Sequence, residues 1–237
     1  MAWSVKVTEE YAAWFTALIK DDLASAIQVA QAVAALREEG PALGRPLVDR
    51  IQGSRIHHLK ELRPGSAARS EIRVLFAFDP TRSALLLLGG DKAGNWQRWY
   101  KENIPIAEQL YLDYTTQAEE KPAMPKRTPL DWEDLERELH AAGVSPEEID
   151  AGARQLLAQA RGHQLAETRK QLGLGQKQIA AAMGVSVARV SQIEHGEVTS
   201  FEVIARYVEA LGGRLDLVAD FGDRTVRLPV SDTATAA

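Results

Sequence analysis

Gln176-Lys177-Gln178-Ile179-Ala180-Ala181-Ala182-Met183-Gly184-Val185-Ser186-Val187-Ala188-Arg189-Val190-Ser191-Gln192-Ile193-Glu194-His195-Gly196 decides the fold of the second half of this chain. Gln176 to Met183 reads as a short helix ended by Gly184, and Ser186 is a good N-cap for a second that stops at Gly196. Upstream, Leu165 and Arg169-Lys170 to Leu172 make a first helix, closed by Gly173. Two short helices joined by a tight turn form a helix-turn-helix, whose second helix enters the major groove of DNA. Val190 and Ile193, three residues apart, face the core. Val187, Ala188, Arg189, Ser191 and Gln192 are left near the outer face. Arg bridges guanine and Gln bridges adenine bidentately, while Val and Ala suit a thymine methyl. The alternative is a helix-turn-helix core that binds protein. Residues 163–196 carry four basic and two acidic side chains, a net of +2, so one copy binds DNA weakly and a homodimer is expected.

Beyond this segment, Arg214 to Val218 and Arg224 to Leu228 alternate around Asp220-Phe221-Gly222-Asp223, the pattern of a β-hairpin. The hairpin, residues 212–229, is the available dimerisation element, and 230–237 reads as a disordered tail. Before the segment, Ser145-Pro146-Glu147-Glu148 combines an N-cap, a proline at the first helical position and a capping-box glutamate, which opens a helix. Asp131 caps another that carries Leu135 and Leu139. Ala118 to Pro129 holds three prolines and five charges and almost nothing to bury, so it reads as a linker.

The first 115 residues have a different texture. Trp3 to Val7 reads as a strand, and Thr8-Glu9-Glu10 starts a helix. Tyr11, Trp14, Phe15 and Leu18, then Leu23, Ile27, Ala30 and Val33, fall at helical spacing on either side of Lys20-Asp21-Asp22. A helical hairpin or one bent helix is expected, ended by Gly40-Pro41. Strands follow at 55–62, 72–78 and 84–89, with a turn at Asp79 to Ser83. Trp96 to Leu112 is helical, with a break or restart at Pro105. The result is a compact α+β domain followed by an all-α helix-turn-helix domain that ends in a β-hairpin.

Composition narrows the function. There are no cysteines and only two adjacent histidines, His57 and His58, so a thiolate site is excluded and neither a metal nor another cofactor is expected. No apolar run reaches the roughly 18 residues of a membrane span, and the N-terminus lacks a signal-peptide pattern, which points to the cytoplasm. The net charge of −5 is unevenly spread. Residues 50–101 carry ten Lys/Arg against four Asp/Glu, whereas residues 116–162 carry six against ten. Opposite blocks suggest either two partners or one block masking the other; chance solvated faces are the plain alternative. The cations Lys60, Arg63, Arg69, Arg73 and Lys92 lie on or beside the strands, followed by Trp96, Trp99 and Tyr100. Cations hold phosphate and rings stack bases, which suits single-stranded nucleic acid. RNA is cut without a metal when its own 2′-OH attacks the adjacent phosphate, given cations and a proton-transfer group. Solvated strand-edge charges and core tryptophans would account for the same residues.

The residues from Gln176 to Gly196 resemble the Xre/Cro-type helix-turn-helix family at nearly every diagnostic position. The resemblance implies that Gln176 contacts phosphate and that Ser186, Val187, Ala188, Arg189, Ser191 and Gln192 line the base-reading helix. Leu59-Lys60-Glu61-Leu62-Arg63, Glu71 to Asp79 and Leu86-Leu87-Leu88-Gly89-Gly90-Asp91-Lys92 resemble the HigB/RelE-type toxin family. That resemblance implies a small sheet packed on a helical hairpin and an endoribonuclease that cleaves mRNA on the ribosome. By position, Lys60, Arg63 and Arg73 surround the phosphate, with Lys92 near the end of the last strand; no tyrosine or histidine matches firmly as general base, and His58 is a weak candidate. The second half is similar to HigA-type antitoxins. The expected organisation is a toxin domain at 1–115, a linker at 116–130, lead-in helices at 131–161, the helix-turn-helix at 162–211, the hairpin and the tail. Met124-Pro125-Lys126 sits where a separate antitoxin would begin, so a fusion and a single frame with an internal start both stay open. In this reading the lead-in, acidic through Glu133, Asp134, Glu136 and Glu138, opposes the cationic patch or restricts access to it, and the helix-turn-helix represses its own promoter through operator DNA. The alternative is a transcriptional regulator whose toxin-like domain is catalytically inactive and serves as an interaction module.

Overall fold

A computed structural model describes residues 3–65, 70–79, 81–119, 129–221 and 224–230. The chain divides into two compact units, Met1–Leu156 and Leu157–Ala237. The class is α+β, as the alternation and helical spacing suggest.

In the first unit, β1 (Ser4–Val7) leads into α1 (Glu9–Asp21) and α2 (Leu23–Glu39). Thr8 caps α1 by accepting from Tyr11 N–H, and Asp22 accepts from Ser25 N–H at the start of α2. Strands β2 (Val48–Arg50), β3 (Lys60–Leu62), β4 (Ile72–Phe78) and β5 (Ser83–Asp91) follow, then α3 (Trp96–Glu119), β6 (Leu130–Asp131) and α4 (Trp132–Ala141). The sheet order is β2-β3-β4-β5-β1-β6, with β1 parallel to β5 and every other pair antiparallel.

Leu75, Ala77, Leu85 and Leu87 pack with Ala107, Leu110 and Tyr111 of α3. Alternation sends Val74, Phe76 and Phe78 to the other face, toward α1 and α2. Between Leu75 and Phe76 the register slips: Leu75 pairs with Leu88 and Phe76 with Leu86, leaving Leu87 as an extra residue in β5. Beyond this bulge Gly90 faces α3, where a Cβ would lie 2.6 Å from Trp99 Nε1. The absence of a side chain lets α3 close onto the strand.

Four details depart from the sequence reading. Only Lys60–Leu62 of the expected strand at 55–62 is extended; Arg55 to His58 form bends and a turn, with Ser54 and Arg55 held by buried Glu108. Pro105 does not break α3, because its position is exposed and water can satisfy the carbonyl that loses its N–H partner. Strands β2 and β6 were not anticipated. The expected linker is helical through Glu119 and extended at Leu130–Asp131, while 120–128, with Met124, lie outside the described residues.

The second unit contains the end of α5 (Pro146–Gln171), then α6 (Gln176–Met183), α7 (Val187–Glu194), α8 (Phe201–Ala210) and a hairpin of β7 (Leu215–Asp220) and β8 (Thr225–Val230). The lead-in helix and the first helix of the DNA-binding domain are one continuous α5. No proline interrupts it, and its internal glycines cost only about 1 kcal/mol each. Gly162 is also required: a Cβ there would meet the Ile193 and Glu194 carbonyls at 2.7 Å. Ile179, Ala180, Met183, Val190, Ile193, Val198 and Tyr207 form the core of this unit. The tail from 231 onward lies outside the described residues.

Candidate functional site

In the first unit the expected cations fall into two places. Lys60 pairs with Phe76 across β3 and β4, and its ammonium lies 5.5 Å from the Phe78 ring centroid. It therefore points to the α1–α2 face, where burial lowers its pKa. Arg63 and Arg73 gather on the α3 face around Glu61, which is only 2% exposed. Arg63 donates to Glu61 Oε1 from Nε at 2.7 Å and to Asp49 Oδ2 from Nη2 at 2.7 Å. Arg73 donates from Nη1 to the Ile72 carbonyl at 2.7 Å, while its buried Nε, 4.0 Å from Glu61 Oε2, has no hydrogen-bond partner among the described residues. Tyr100 of α3 donates a hydrogen bond to Glu61 Oε2. Lys92 joins from the end of β5, 3.4 Å from Glu71 Oε2 and 5.7 Å from the Tyr100 ring centroid. Arg69 lies outside the described residues.

Burial first, then the hydrogen bond and charge of Glu61, push the Tyr100 pKa up to about 12, against the opposing pull of Arg73 and Arg63. The phenol keeps its proton at neutral pH and gives it to Glu61. Its remaining lone pairs are those of an acceptor, so the Tyr100–Glu61 pair can take up a proton while Arg63 and Arg73 face developing negative charge. Glu61 is absent from the expected site although it stands inside the quoted Leu59–Arg63 stretch, and Tyr100 is expected only as one of the aromatics that follow the cations. His58 belongs elsewhere. It shares a 2.9 Å hydrogen bond with Tyr111, which is 11 residues along α3 from Tyr100, or about 16 Å at 1.5 Å per residue. Burial, then neighbouring His57, lowers its pKa. Of the aromatics, Trp99 packs on Tyr100 at 5.1 Å, whereas Trp96 is 57% exposed and open to stacking.

The lead-in lies away from this cluster. β6 pairs with β1 at the sheet edge, and α4 buries Trp132 completely, 5.0 Å from the Phe15 ring and 6.4 Å from the Tyr11 ring. Arg37 of α2 donates to Glu133 at 2.9 Å and to Glu136 at 3.3 Å, and Thr16 of α1 donates to Glu138 at 2.8 Å. The acidic side chains thus meet α1 and α2 and do not oppose the Arg63–Arg73 patch. Asp134 pairs within its own helix, with Arg137.

In the second unit Gly184 takes the left-handed conformation that ends α6, and Ser186 Oγ accepts from Arg189 N–H to start α7. Val187, Ala188, Arg189 and Gln192 are exposed and Ser191 is half-buried, so the face that would meet bases is open. Ser186 Oγ is engaged as the cap. Gln176 donates from Nε2 to Glu194 Oε2 at 2.8 Å; for a phosphate it has left the N–H groups of the first turn of α6, its own and that of Lys177.

Glu194 ties four helices together. Arg169 of α5 grips both of its oxygens, at 2.6 and 3.0 Å, and Tyr207 of α8 donates to Oε1 at 2.6 Å. Burial alone would raise the Glu194 pKa, but the bonds from Arg169, Tyr207 and Gln176 hold it below the usual carboxylate value. The same burial and the bond to Glu194 push Tyr207 well above 10. Among the described residues no group of three or more His, Asp or Glu could hold a metal, and no helix is long and apolar enough to cross a membrane.

These two sites define a protein of two parts: a small α+β domain with guanidinium groups clustered around a buried acid, and a helix-turn-helix DNA-binding domain. Residues 14–112 match the family described as phage-derived protein Gp49-like, and residues 165–218 match the helix-turn-helix family. The HigB3 protein of Mycobacterium tuberculosis (strain ATCC 25618 / H37Rv), a toxin by name, is 59% identical over 96 residues, 40% of this chain and 79% of its own length. HigB2 of the same strain is 47% identical over 128 residues, 54% of this chain, and the match spans 62% of its length. HigA3, an antitoxin by name from that strain, is 44% identical over 101 residues, 41% of this chain and 93% of its own length. The chain belongs to both families, a Gp49-like HigB-type toxin domain followed on the same polypeptide by a HigA-type helix-turn-helix antitoxin.

Proposed function

We propose that this chain joins a ribosome-dependent mRNA endoribonuclease to the antitoxin that inhibits it and represses its own promoter. The observation that carries the reading is the insertion of β6 and α4 into the toxin fold, with Trp132 fully buried between the HigB-type helices. A segment that adds a strand and a buried indole is a tight partner; burial of such a side chain contributes about 1.5–3 kcal/mol. Inhibition then acts from the α1–α2 face, by keeping the toxin from docking on the ribosome, and leaves Arg63, Arg73 and Tyr100 unplugged by α4.

In the proposed reaction the 2′-oxygen attacks phosphorus as its proton passes to Tyr100 and that of Tyr100 to Glu61. Arg63 and Arg73 stabilise the charge, the bond to the 5′-oxygen breaks, and Lys92 or water protonates the leaving oxygen. Trp96 stacks a neighbouring base. Lys60, on the other face, holds no phosphate in this arrangement and supports the strand against Phe78.

On the DNA side, α7 reads the operator and α6 holds phosphate. Val218, Phe221 and Leu228 of the hairpin are each about half exposed or more, at 59%, 61% and 49%, and a two-stranded ribbon is marginal alone, which supports a homodimer through this element. Cytoplasmic action accompanies these partners.

A second reading has one observation in its favour. Arg63 is paired with Glu61 and Asp49, and Lys92 with Glu71, so part of the cationic patch is neutralised within the fold. In that reading the toxin domain is an inactive interaction module of a transcription regulator. Inducing residues 1–119 in cells separates the two: growth arrest with new mRNA 5′ ends, abolished by Arg73→Ala, is expected, and harmless accumulation of folded protein would support the second.

A further inference from the structure

Arg45, outside the expected set of cations, shares an acceptor with Arg63. Asp49 Oδ2 lies 2.8 Å from Arg45 Nη2 and 2.7 Å from Arg63 Nη2, so one carboxylate oxygen holds two guanidinium groups side by side. Asp49 pairs with Glu61 across β2 and β3, which puts this arrangement on the α3 face with the Arg63–Arg73 cluster. Three guanidinium groups, those of Arg45, Arg63 and Arg73, divide two carboxylates, those of Asp49 and Glu61, and one positive charge is left over. The backbone under Arg45 is pinned, because Leu43 and Leu47 on either side of it are buried. Side-chain exposure falls from 66% at Arg45 to 33% at Arg63 and 15% at Arg73, so the cluster opens to solvent at its Arg45 end.

We infer that Arg45 is a further RNA-binding residue, which holds the phosphate next to the one that Arg63 and Arg73 face, and that the RNA crosses strands β2 to β5 from Arg45 toward Lys92. This rests on the ribonuclease reading of the cluster. The cations lie in or beside four neighbouring strands: Arg45 ahead of β2, Arg63 just past β3, Arg73 in β4 and Lys92 just past β5. Neighbouring strands are about 4.8 Å apart, so the row spans about 14 Å, more than one phosphate covers. Arg45 has N–H groups left over in solvent, and it can turn them to a phosphate without giving up Asp49. Asp49 is then a positioning residue. It keeps two like charges adjacent before RNA arrives, so less ordering is left to do on binding.

Binding of a short single-stranded RNA by the full chain tests this. The RNA is 2′-O-methylated, so that no 2′-OH can attack, and excess duplex DNA is present to occupy the helix-turn-helix. On a single strand each phosphate contact adds about 0.7 to the slope of log affinity against log salt, worth roughly fivefold at about 0.1 M salt. Arg45→Ala should lower the slope by about 0.7 and the affinity by roughly fivefold, and Arg45→Lys, which keeps the charge, should restore the slope. Arg50→Ala removes an exposed cation that pairs with Lys60 on the opposite face of the sheet, and it should change neither quantity. An unchanged slope in Arg45→Ala, an equal loss in Arg50→Ala or no rescue by Arg45→Lys would overturn the inference, while binding that still falls in Arg73→Ala would keep the ribonuclease reading. No RNA binding by the wild-type chain, or binding indifferent to Arg73→Ala, would remove both.

Discussion

Two buried glutamates, one in each unit, show how similar ingredients serve different ends. Glu194 and Glu61 each sit beneath an arginine and accept from a tyrosine hydroxyl. Around Glu194 the account closes: Arg169 binds both oxygens and the Leu174 carbonyl, and Gln176 supplies a further donor. Around Glu61 it stays open, because a second arginine approaches to 4.0 Å with a buried Nε that bonds to nothing among the described residues. A satisfied buried network fastens helices. One with an unused donor beside a protonated tyrosine has capacity left for an anion.

Removing one partner from each network should break this comparison in opposite ways. Tyr100→Phe and Arg73→Ala should each lower mRNA cleavage by the released toxin at least about a hundredfold, the scale of a lost proton-transfer or charge-stabilising group. Binding of DNA by the second unit should be unchanged in both, as read by a gel-shift titration. Glu194→Ala should instead destabilise the helix-turn-helix by about 3–5 kcal/mol, because Arg169 is left buried without its partner, and DNA binding should fall with the fold in a denaturant titration.

Acid should sharpen the contrast. The folded-state pKa of Glu194 lies below its ordinary value of 4.5, so its contribution is fully present above that value and is lost as pH falls through the depressed one. Unfolding of the helix-turn-helix on acidification should therefore begin below about pH 4.5 and move to a different pH in Glu194→Gln, followed by circular dichroism. Tyr11 gives the smallest effect. Its hydroxyl is buried and has no hydrogen-bond partner among the described residues, so Tyr11→Phe should cost less than about 0.5 kcal/mol or be slightly stabilising in a melting curve.

The same contrast explains what was legible in the sequence. The helix-turn-helix is written in local signals, namely Ser186 as cap, Gly184 as stop and the spacing of Val190 and Ile193, and these appear in place. Strand β4 was legible as an apolar run bounded by turn residues. Strands β2 and β6, three and two residues long, are too short to show a period. The direction of Lys60 depends on which face of a three-residue strand is which, and nothing local decides it. Tyr100 and Glu61 meet across 39 residues, and Trp132 meets Phe15 across 117, so both contacts are products of topology. The acidity of the lead-in was visible, but its partner was not: Arg37, the cation near the end of α2, is brought beside Glu133 and Glu136 by the packing of α4, a contact across about a hundred residues that no local pattern announces.

In the proposed function the lead-in restrains an intact ribonuclease from the far side of its sheet. Cleavage of mRNA in cells expressing the full chain, Trp132→Asp, and Trp132→Asp with Arg73→Ala tests it most directly. A charge in place of the buried indole should release α4, so the account predicts no cleavage, cleavage, and no cleavage in that order. If Trp132→Asp keeps its α+β circular dichroism, loses the docking of α4 and still cleaves nothing, the restrained-nuclease account is wrong.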